Sequence, residues 1–190
     1  MSKVIFNISM SLDGYVADPN DDPSQLHEWY FSGDTEIPGT PFKVSKASAE
    51  MMGKAGGSVG AMVTGRRNFD LANAWGGHPP LGVHHFVVTH NPATEWEKPD
   101  SPFTFVPEGV EDAIAKAKEL AETKTVCISS PSILQQALKA GLVDEIYIDL
   151  IPVLLGEGKT LFENTSQPKL ECTSSVEGTG VIHLGFKVVS

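Results

Sequence analysis

The segment from Ala140 to Phe162, AGLVDEIYIDLIPVLLGEGKTLF, constrains the fold more than any other part of the chain. A glycine ends the helical pattern before it, and an alternating apolar segment typical of a strand follows. A proline and a glycine-rich turn end that strand. The order helix, strand and turn indicates an α/β sheet near a ligand crevice, because loops at strand ends hold the ligand in such sheets.

Strand and helix patterns alternate along the rest of the chain. We expect helices on either side of a mainly parallel, doubly wound sheet, which makes a three-layer α/β fold in one domain over 1–190. The last two strands are separated only by a turn, so they are expected to pair antiparallel. The predicted strands are 3–10, 60–64, 85–89, 103–106, 125–128, 145–151, 170–176 and 181–189, and the predicted helices include 41–54, 66–72, 110–121 and one after Ser129 with Ser132 and Gln135 at capping-box spacing.

Charge and composition narrow the class of protein. The net charge of −10 argues against nucleic acid and anionic membranes as partners. No apolar run approaches the roughly 18 residues that a membrane span needs, and we expect a cytoplasmic protein without a signal peptide. The six histidines and two cysteines show no metal-ligand spacing, so no metal site is expected.

The turn after the second predicted strand combines three features that suit a phosphate group. Gly65 permits a close approach of the backbone, and free N–H groups are expected at the start of the following helix. Arg66 and Arg67 are the only arginines of the chain, and a guanidinium offers a planar fork of donors to phosphate. This turn is therefore predicted to bind a nucleotide phosphate.

A second turn of similar chemistry follows the strand at 125–128. Ser129, Ser130 and Ser132 bring hydroxyl groups to the start of a helix, where anions bind readily. Pro131 removes one of the backbone donors at this helix end.

The amino-acid sequences of several segments resemble those of a known family. Leu142-Val143-Asp144-Glu145, the turn Pro152 to Gly158, the pair Gly65-Arg66 and the turn Ser11-Leu12-Asp13-Gly14 resemble the C-terminal reductase domain of bacterial riboflavin biosynthesis. That domain belongs to the dihydrofolate-reductase-like superfamily. The chain lacks a deaminase segment with zinc ligands, so it resembles a stand-alone member.

The resemblance implies an NADPH-dependent reductase that passes a hydride to a C=N or C=O bond in a small, flat heterocycle, such as a pteridine or a ribosylaminopyrimidine. It implies homodimers as well, for which Tyr147, Asp149 and Ile151 on one face of the strand at 145–151 are a candidate interface. It places Asp13 beside the nicotinamide and the substrate as a catalytic residue, and Trp29 with Tyr30 or His27 on the substrate side. The implied cofactor-binding residues are Gly65, Arg66, Arg67, Thr89, His90, Ser129, Ser130, Ser132, Ile133, Leu134 and Gly156.

Two departures from the family pattern keep other functions open. Asn68 stands where the family usually has threonine, and Ser129-Ser130 replace a glycine pair that ends the strand. A Cβ at a position built for glycine can prevent close approach of a cofactor. One alternative is a non-catalytic module that binds a nucleotide or pterin, and another is a reductase that uses NADH or a flavin.

Overall fold

The computed structural model describes residues 2–163 and 165–189. The strands are β1 Val4–Ser11, β2 Tyr15–Ala17, β3 Thr35–Glu36, β4 Lys43–Val44, β5 Val59–Gly65, β6 His84–Val88, β7 Phe103–Val106, β8 Thr125–Ile128, β9 Glu145–Ile151, β10 Lys159–Thr160, β11 Lys169–Gly178 and β12 Val181–Val189. The α-helices are α1 Lys46–Ser58, α2 Arg66–Leu71, α3 Val110–Ala121 and α4 Pro131–Lys139, and 3-10 helices span Ser24–Phe31, Asn73–Gly77, Pro80–Gly82 and Thr94–Trp96.

Eight strands form one sheet in the order β11-β12-β9-β1-β8-β5-β6-β7. The six strands from β9 to β7 in this order are parallel, and β12 and β11 add an antiparallel hairpin at one edge. Parallel strands point their carboxyl ends to the same edge, so the turns after β1, β5 and β8 meet there. This arrangement confirms the predicted three-layer, doubly wound sheet closed by a C-terminal hairpin.

Helices cover both faces of the sheet. α3 and α4 bury an apolar stripe against the central strands, in the largest hydrophobic cluster of the described residues. The opposite face carries the 3-10 helix Ser24–Phe31 and α1, which pack with Val44, Ile151 and Val181 in a second cluster. These two layers leave the carboxyl edge of the parallel strands open for ligands.

Two helix starts differ from the sequence-based prediction. α1 begins at Lys46 rather than near Pro41, because the Oγ of Ser45 accepts a hydrogen bond from the N–H of Ser48 and caps the helix there. α4 begins at Pro131 with Ser130 as the preceding cap residue, so the predicted capping box is wrong. Gln135 instead donates through its side chain to the carbonyl oxygen of Leu161 over 3.0 Å.

No helix among residues 2–163 and 165–189 is long and apolar enough to cross a membrane.

Candidate functional site

A cavity of about 770 Å³ lies where β1, β5 and β8 end, and we call it the strand-end cleft. Its volume is within the range of small-molecule and cofactor sites. It is lined by Ile8, Val16, Ala17, Asn20, Asp21, Asp22, Pro23, His27, Gly65, Arg67, Asn68, Leu71, Ala72, Trp75, Ser129, Ser130, Pro131, Ser132, Gln135 and Lys159. Five of the predicted cofactor-binding residues are in this lining: Gly65, Arg67, Ser129, Ser130 and Ser132.

The serine turn after β8 forms the floor of the cleft. The Oγ of Ser130 accepts a hydrogen bond from the backbone N–H of Gly65 over 2.9 Å, so the ends of β5 and β8 are tied together. The Oγ of Ser129 is buried and has no hydrogen-bond partner in the protein. A buried polar oxygen without a partner is costly, so Ser129 offers a hydrogen bond to a ligand or water in the cleft.

Gly65 has little space for a side chain. An added Cβ would lie 3.3 Å from the Oγ atoms of both Ser130 and Ser132. The glycine therefore leaves room for the two serine hydroxyl groups at the floor, and the close approach of a ligand to its backbone stays a prediction. Asn68 lies beside Gly65 in the cleft lining, and its side-chain amide donates to the Oγ1 of Thr64 over 2.9 Å.

An ion pair connects the two sides of the cleft mouth. The guanidinium of Arg67 donates to the carboxylate of Asp21, which lies in the loop between β2 and the 3-10 helix. The hydrogen bond from Arg67 holds the pKa of Asp21 below its usual value. Lys159 lines the same cleft and also lowers the pKa of Asp21. The cleft thus carries the cations Arg67 and Lys159 together with the carboxylates of Asp21 and Asp22.

The structure separates Arg66 from the cleft. Its guanidinium donates to the side chain of Asp70 over 2.7 Å and to the carbonyl oxygen of Asn91. Asn91 belongs to the turn after β6, where the hydroxyl of Thr89 accepts from the N–H of Asn91 over 3.1 Å. Arg66, Thr89 and the exposed His90 are therefore neighbours at a turn beside the cleft and are not part of its lining.

The expectation for Asp13 and Gly156 needs correction. The carboxylate of Asp13 accepts hydrogen bonds from the hydroxyl of Ser11 over 2.6 Å and from the N–H of Gly156 over 2.7 Å. These bonds, that of Ser11 above all, lower the pKa of Asp13. Neither residue lines the cleft. Asp13 braces the loop after β9 against the turn after β1, and an exposed carboxylate with a lowered pKa is a poor proton donor.

Three other residues are placed away from the predicted roles. Ile133 and Leu134 are buried in the core under the sheet, so their side chains do not reach the cleft. Trp29 is buried too. Its indole N–H donates to the Oγ of Ser9 over 3.1 Å, and its ring stacks on Tyr30. The prediction that Trp29 faces a substrate is wrong. Tyr30 lines a second cavity on the face of α1.

His27, the alternative to Tyr30 in the sequence analysis, does line the strand-end cleft. Burial lowers the pKa of His27, so its ring is neutral at pH 7 and offers one donor and one acceptor nitrogen. His27 lies on the 3-10 helix Ser24–Phe31, and its place on the substrate side stays a prediction.

Sequence reasoning missed Asp21, Asn20 and Lys159 as cleft residues. Asn20 and Asp21 occur in the run Asp18 to Pro23, which reads only as a loop, and Lys159 lies after the glycine-rich turn. Their approach to the cleft depends on the short pairing of β10 with β2, which joins Lys159 to Ala17. No local sequence pattern predicts that two such short strands pair.

The residues of the strand-end cleft fit a nicotinamide dinucleotide. The unpartnered Ser129 Oγ, the hydroxyl of Ser132 and the cations Arg67 and Lys159 form a donor set for phosphate oxygens. Apolar side chains such as Val16 and Ile8 line the part of the cleft near β1, which suits a flat ring. Among residues 2–163 and 165–189, no three His, Cys, Asp or Glu side chains come together to hold a metal ion.

Comparisons with solved structures agree with this architecture. A protein from Shewanella sp. PV-4, provisionally described as a riboflavin biosynthesis protein, is 24% identical with a TM-score of 0.73, and the match covers 100% of both chains. A deaminase/5-amino-6-(5-phosphoribosylamino)uracil reductase from Thermotoga maritima is 12% identical with a TM-score of 0.67, over 99% of this chain and 57% of that one. The dihydrofolate reductase from Enterococcus faecalis in complex with NADP(H) is 15% identical with a TM-score of 0.62, over 99% and 97%.

At identities this low, these likenesses establish the fold, which is that of dihydrofolate reductase. A comparison with curated protein sequences finds no significant match. The sequence model of the RibD C-terminal domain, in contrast, matches residues 2–184. That match spans nearly the whole chain, and we conclude that the chain belongs to the RibD C-terminal domain family.

Proposed function

We propose that the protein is an NADPH-dependent reductase that transfers a hydride to a C=N or C=O bond of a small, flat heterocycle. A reductase-type function is supported by the family and by the reductases that share the fold. The observation that carries the proposal is the strand-end cleft, which unites hydroxyl donors, cations and an apolar wall at the carboxyl edge of a parallel sheet.

Several residues of the cleft would hold the cofactor. The hydroxyls of Ser129 and Ser132 and the start of α4 would bind the diphosphate, because a helix N-terminus attracts anions. Arg67 and Lys159 would add positive charge for a further phosphate. When bound, NADPH supplies the hydride. The chain itself binds, orients and encloses the reactants.

The Arg67–Asp21 ion pair connects cofactor binding to the acidic loop, which we define as Asp18 to Pro23. Asp21 occupies the guanidinium of Arg67, so a phosphate at Arg67 competes with the carboxylate. Lys159 remains beside Asp21 when Arg67 turns to the phosphate. The position of this loop would therefore change when a phosphate takes the place of the Asp21 carboxylate at Arg67.

One observation favours a second candidate, a module that binds a nucleotide or pterin without turnover. The Gly65 N–H donates to the Ser130 hydroxyl and is not free for a ligand. Pro131 has no N–H to offer at the first position of α4. Two backbone donors near the phosphate position are thus withheld from a ligand, one at the end of β5 and one at the start of α4, and weaker cofactor binding would follow.

NADPH oxidation separates the two candidates. The purified protein is incubated with NADPH and a panel of pteridines, aminopyrimidines and imines, and the loss of reduced nicotinamide absorbance is followed. Turnover with one class that disappears in Arg67→Ala supports the reductase. Tight binding of NADPH or a pterin without any oxidation across the panel supports the binding module instead.

We propose that the protein forms a homodimer. Of the three residues on the candidate face of β9, Asp149 and Ile151 are 8% and 5% exposed, whereas Tyr147 is half-buried and is the one available for a contact. Size-exclusion chromatography with light scattering tests it, and a monomer would rule it out.

A further inference from the structure

The segment Asn73–Gly77, which follows α2, has an unusual backbone, and we call it the left-handed turn. Its residues all have positive φ: 47° at Asn73, 49° at Ala74, 49° at Trp75, 61° at Gly76 and 83° at Gly77. In this region the Cβ of an L-residue crowds the following carbonyl oxygen. Glycine avoids that cost and asparagine tolerates it. Ala74 and Trp75 are therefore held in a strained conformation.

Packing against β6 and β7 keeps the turn in this conformation. Ala74 is 3% exposed, in a hydrophobic cluster with Phe69 and Phe103. The ring of Trp75 stacks on that of Phe103 with centroids 6.2 Å apart, and its centroid lies 5.1 Å from that of His85. Strained residues persist only where the surrounding structure fixes them, and they cluster at ligand clamps and active sites. The left-handed turn has the properties of such a clamp.

A second unfavourable feature lies beside Trp75. His85 is fully buried, its Nδ1 lies 2.9 Å from the carbonyl oxygen of Val83, and its Nε2 has no hydrogen-bond partner in the protein. Burial lowers the pKa of His85 to about 4, so the ring is neutral at pH 7. Because a carbonyl oxygen only accepts, Nδ1 carries the proton and Nε2 is a buried acceptor without a donor. Such a group is costly, so backbone strain and an unpaired side chain occur together at Trp75 and His85.

Trp75 is also part of the strand-end cleft. Its ring is half-buried and lines the cleft together with Asn68, Leu71 and Ala72. Arg67, at the start of α2, lines the same cleft. A ligand whose phosphate binds Arg67 can therefore place a ring on Trp75.

We propose that Trp75 is a ligand-contacting residue of the strand-end cleft, where the left-handed turn holds its indole against a planar, conjugated ring of the bound molecule. His85 and Phe103 are positioning residues that support the indole from the sheet. A ring that stacks on Trp75 stabilises this conformation of the turn, so ligand binding and the geometry of the turn are coupled. This inference rests on the proposed function for NADPH as the ligand, whose adenine and nicotinamide are both flat rings.

Calorimetric titration of the full chain with NADPH tests the contact. We expect Trp75→Leu to raise the dissociation constant about 10-fold, because the flat ring is lost, whereas Trp75→Phe should stay close to the wild type. Phe105→Leu is the matched control, since Phe105 packs on Phe69 in the same cluster and does not line the cleft. It should lower the melting temperature and leave NADPH binding unchanged.

Two glycines separate the role of the turn from overall stability. Gly76 and Gly82 are both exposed, have φ of 61° and 63°, and have open space where a Cβ would lie. Alanine adds similar backbone strain at either position, so the melting temperature should fall by similar amounts. Only Gly76→Ala strains the left-handed turn further, and it should raise the dissociation constant for NADPH about 3-fold to 10-fold. Gly82→Ala should bind NADPH like the wild type.

A truncated probe identifies the ring that contacts Trp75. 2′-Phosphoadenosine 5′-diphosphoribose keeps the adenine and the phosphates of NADPH but lacks the nicotinamide. If Trp75 stacks on adenine, Trp75→Leu weakens the binding of this probe as much as that of NADPH. If it stacks on nicotinamide, the substitution weakens NADPH binding alone. FMN, which carries a different flat ring, is titrated in the same way.

The outcomes separate this inference from the proposed function. Equal NADPH binding by wild type, Trp75→Leu and Gly76→Ala overturns the inference and leaves the reductase proposal in place. Equal weakening by Gly76→Ala and Gly82→Ala would assign the loss to stability and overturn the role of the turn. FMN binding that depends on Trp75 and Gly76, in a protein that does not bind NADPH, supports the inference and overturns the NADPH-dependent reductase. A protein that binds neither NADPH nor FMN overturns both.

Discussion

The backbone N–H of Gly65 donates to the Oγ of Ser130 over 2.9 Å, and this bond joins the ends of β5 and β8 at the floor of the strand-end cleft. Both residues are buried. The serine that replaces a family glycine therefore acts as part of the scaffold. It stabilises the turn and at the same time takes a donor away from the ligand.

Ser130→Ala should lower the free energy of unfolding by about 1–3 kcal/mol, because the buried N–H of Gly65 loses its acceptor. Urea unfolding of the two proteins measures the difference. Ser132→Ala, at an exposed position two residues further along the chain, should stay within about 0.5 kcal/mol of the wild type. Equal effects of the two substitutions would show that the Gly65–Ser130 bond contributes nothing to stability.

Asp21→Asn should strengthen NADPH binding, because it frees the guanidinium of Arg67 from its carboxylate. We expect a dissociation constant about 3-fold to 10-fold lower at low salt, with a smaller gain at high salt as the charges are screened. Asp112→Asn removes one negative charge far from the cleft and controls for net charge. Weaker binding in Asp21→Asn would mean that the loop carboxylate assists the cofactor.

Asp13→Asn should lower the melting temperature at neutral pH and leave turnover nearly unchanged. The folded pKa of Asp13 is lowered, so its contribution is present above the unfolded pKa and is lost as pH falls through the folded pKa. The difference in melting temperature from the wild type should therefore shrink below about pH 4. A proton donor would cost roughly 10²-fold to 10⁴-fold in rate. A loss of that size would restore Asp13 as catalytic.

Gly158→Ala should destabilise the protein more than Gly156→Ala. A Cβ at position 158 would collide with the carbonyl of Ala17, whereas the space around Gly156 is open, and both glycines have positive φ. We expect about 1 kcal/mol for Gly156→Ala and about 2–3 kcal/mol for Gly158→Ala. Gly158→Ala should also weaken NADPH binding, since it displaces Lys159 and Ala17 in the cleft. Similar unfolding energies would contradict this steric account.

The sheet was predictable from sequence because each of its parallel strands is marked by a local apolar pattern. β9 is an example, with its alternating apolar residues, and the helical period of α4 marks the helix before it in the same way. The start of α1 was not predictable in the same way. Pro41 is a common first residue of helices, but the cap that decides the boundary is the Ser45–Ser48 bond.

The site was predictable where function depends on a turn directly after a strand, as at Gly65 and Ser129. It was not predictable where contacts join distant segments. Arg67 and Asp21 are 46 residues apart, and His183 meets Asp149 over 34 residues. Neighbouring arginines also look alike in sequence, whereas the helix directs Arg67 into the cleft and Arg66 towards Asn91.

The most direct test is a thermal melt of the wild type and Arg67→Ala, alone and with excess NADPH or NADH. At about 100-fold over the dissociation constant, a ligand adds roughly 2.7 kcal/mol, which is a shift on the order of 5–10 °C for this size. We predict that NADPH raises the wild-type melting temperature by more than NADH does, and that Arg67→Ala reduces the NADPH shift. The absence of a shift with either nucleotide would contradict the reductase proposal and show that Ser129 and Ser130 close the cleft to the cofactor.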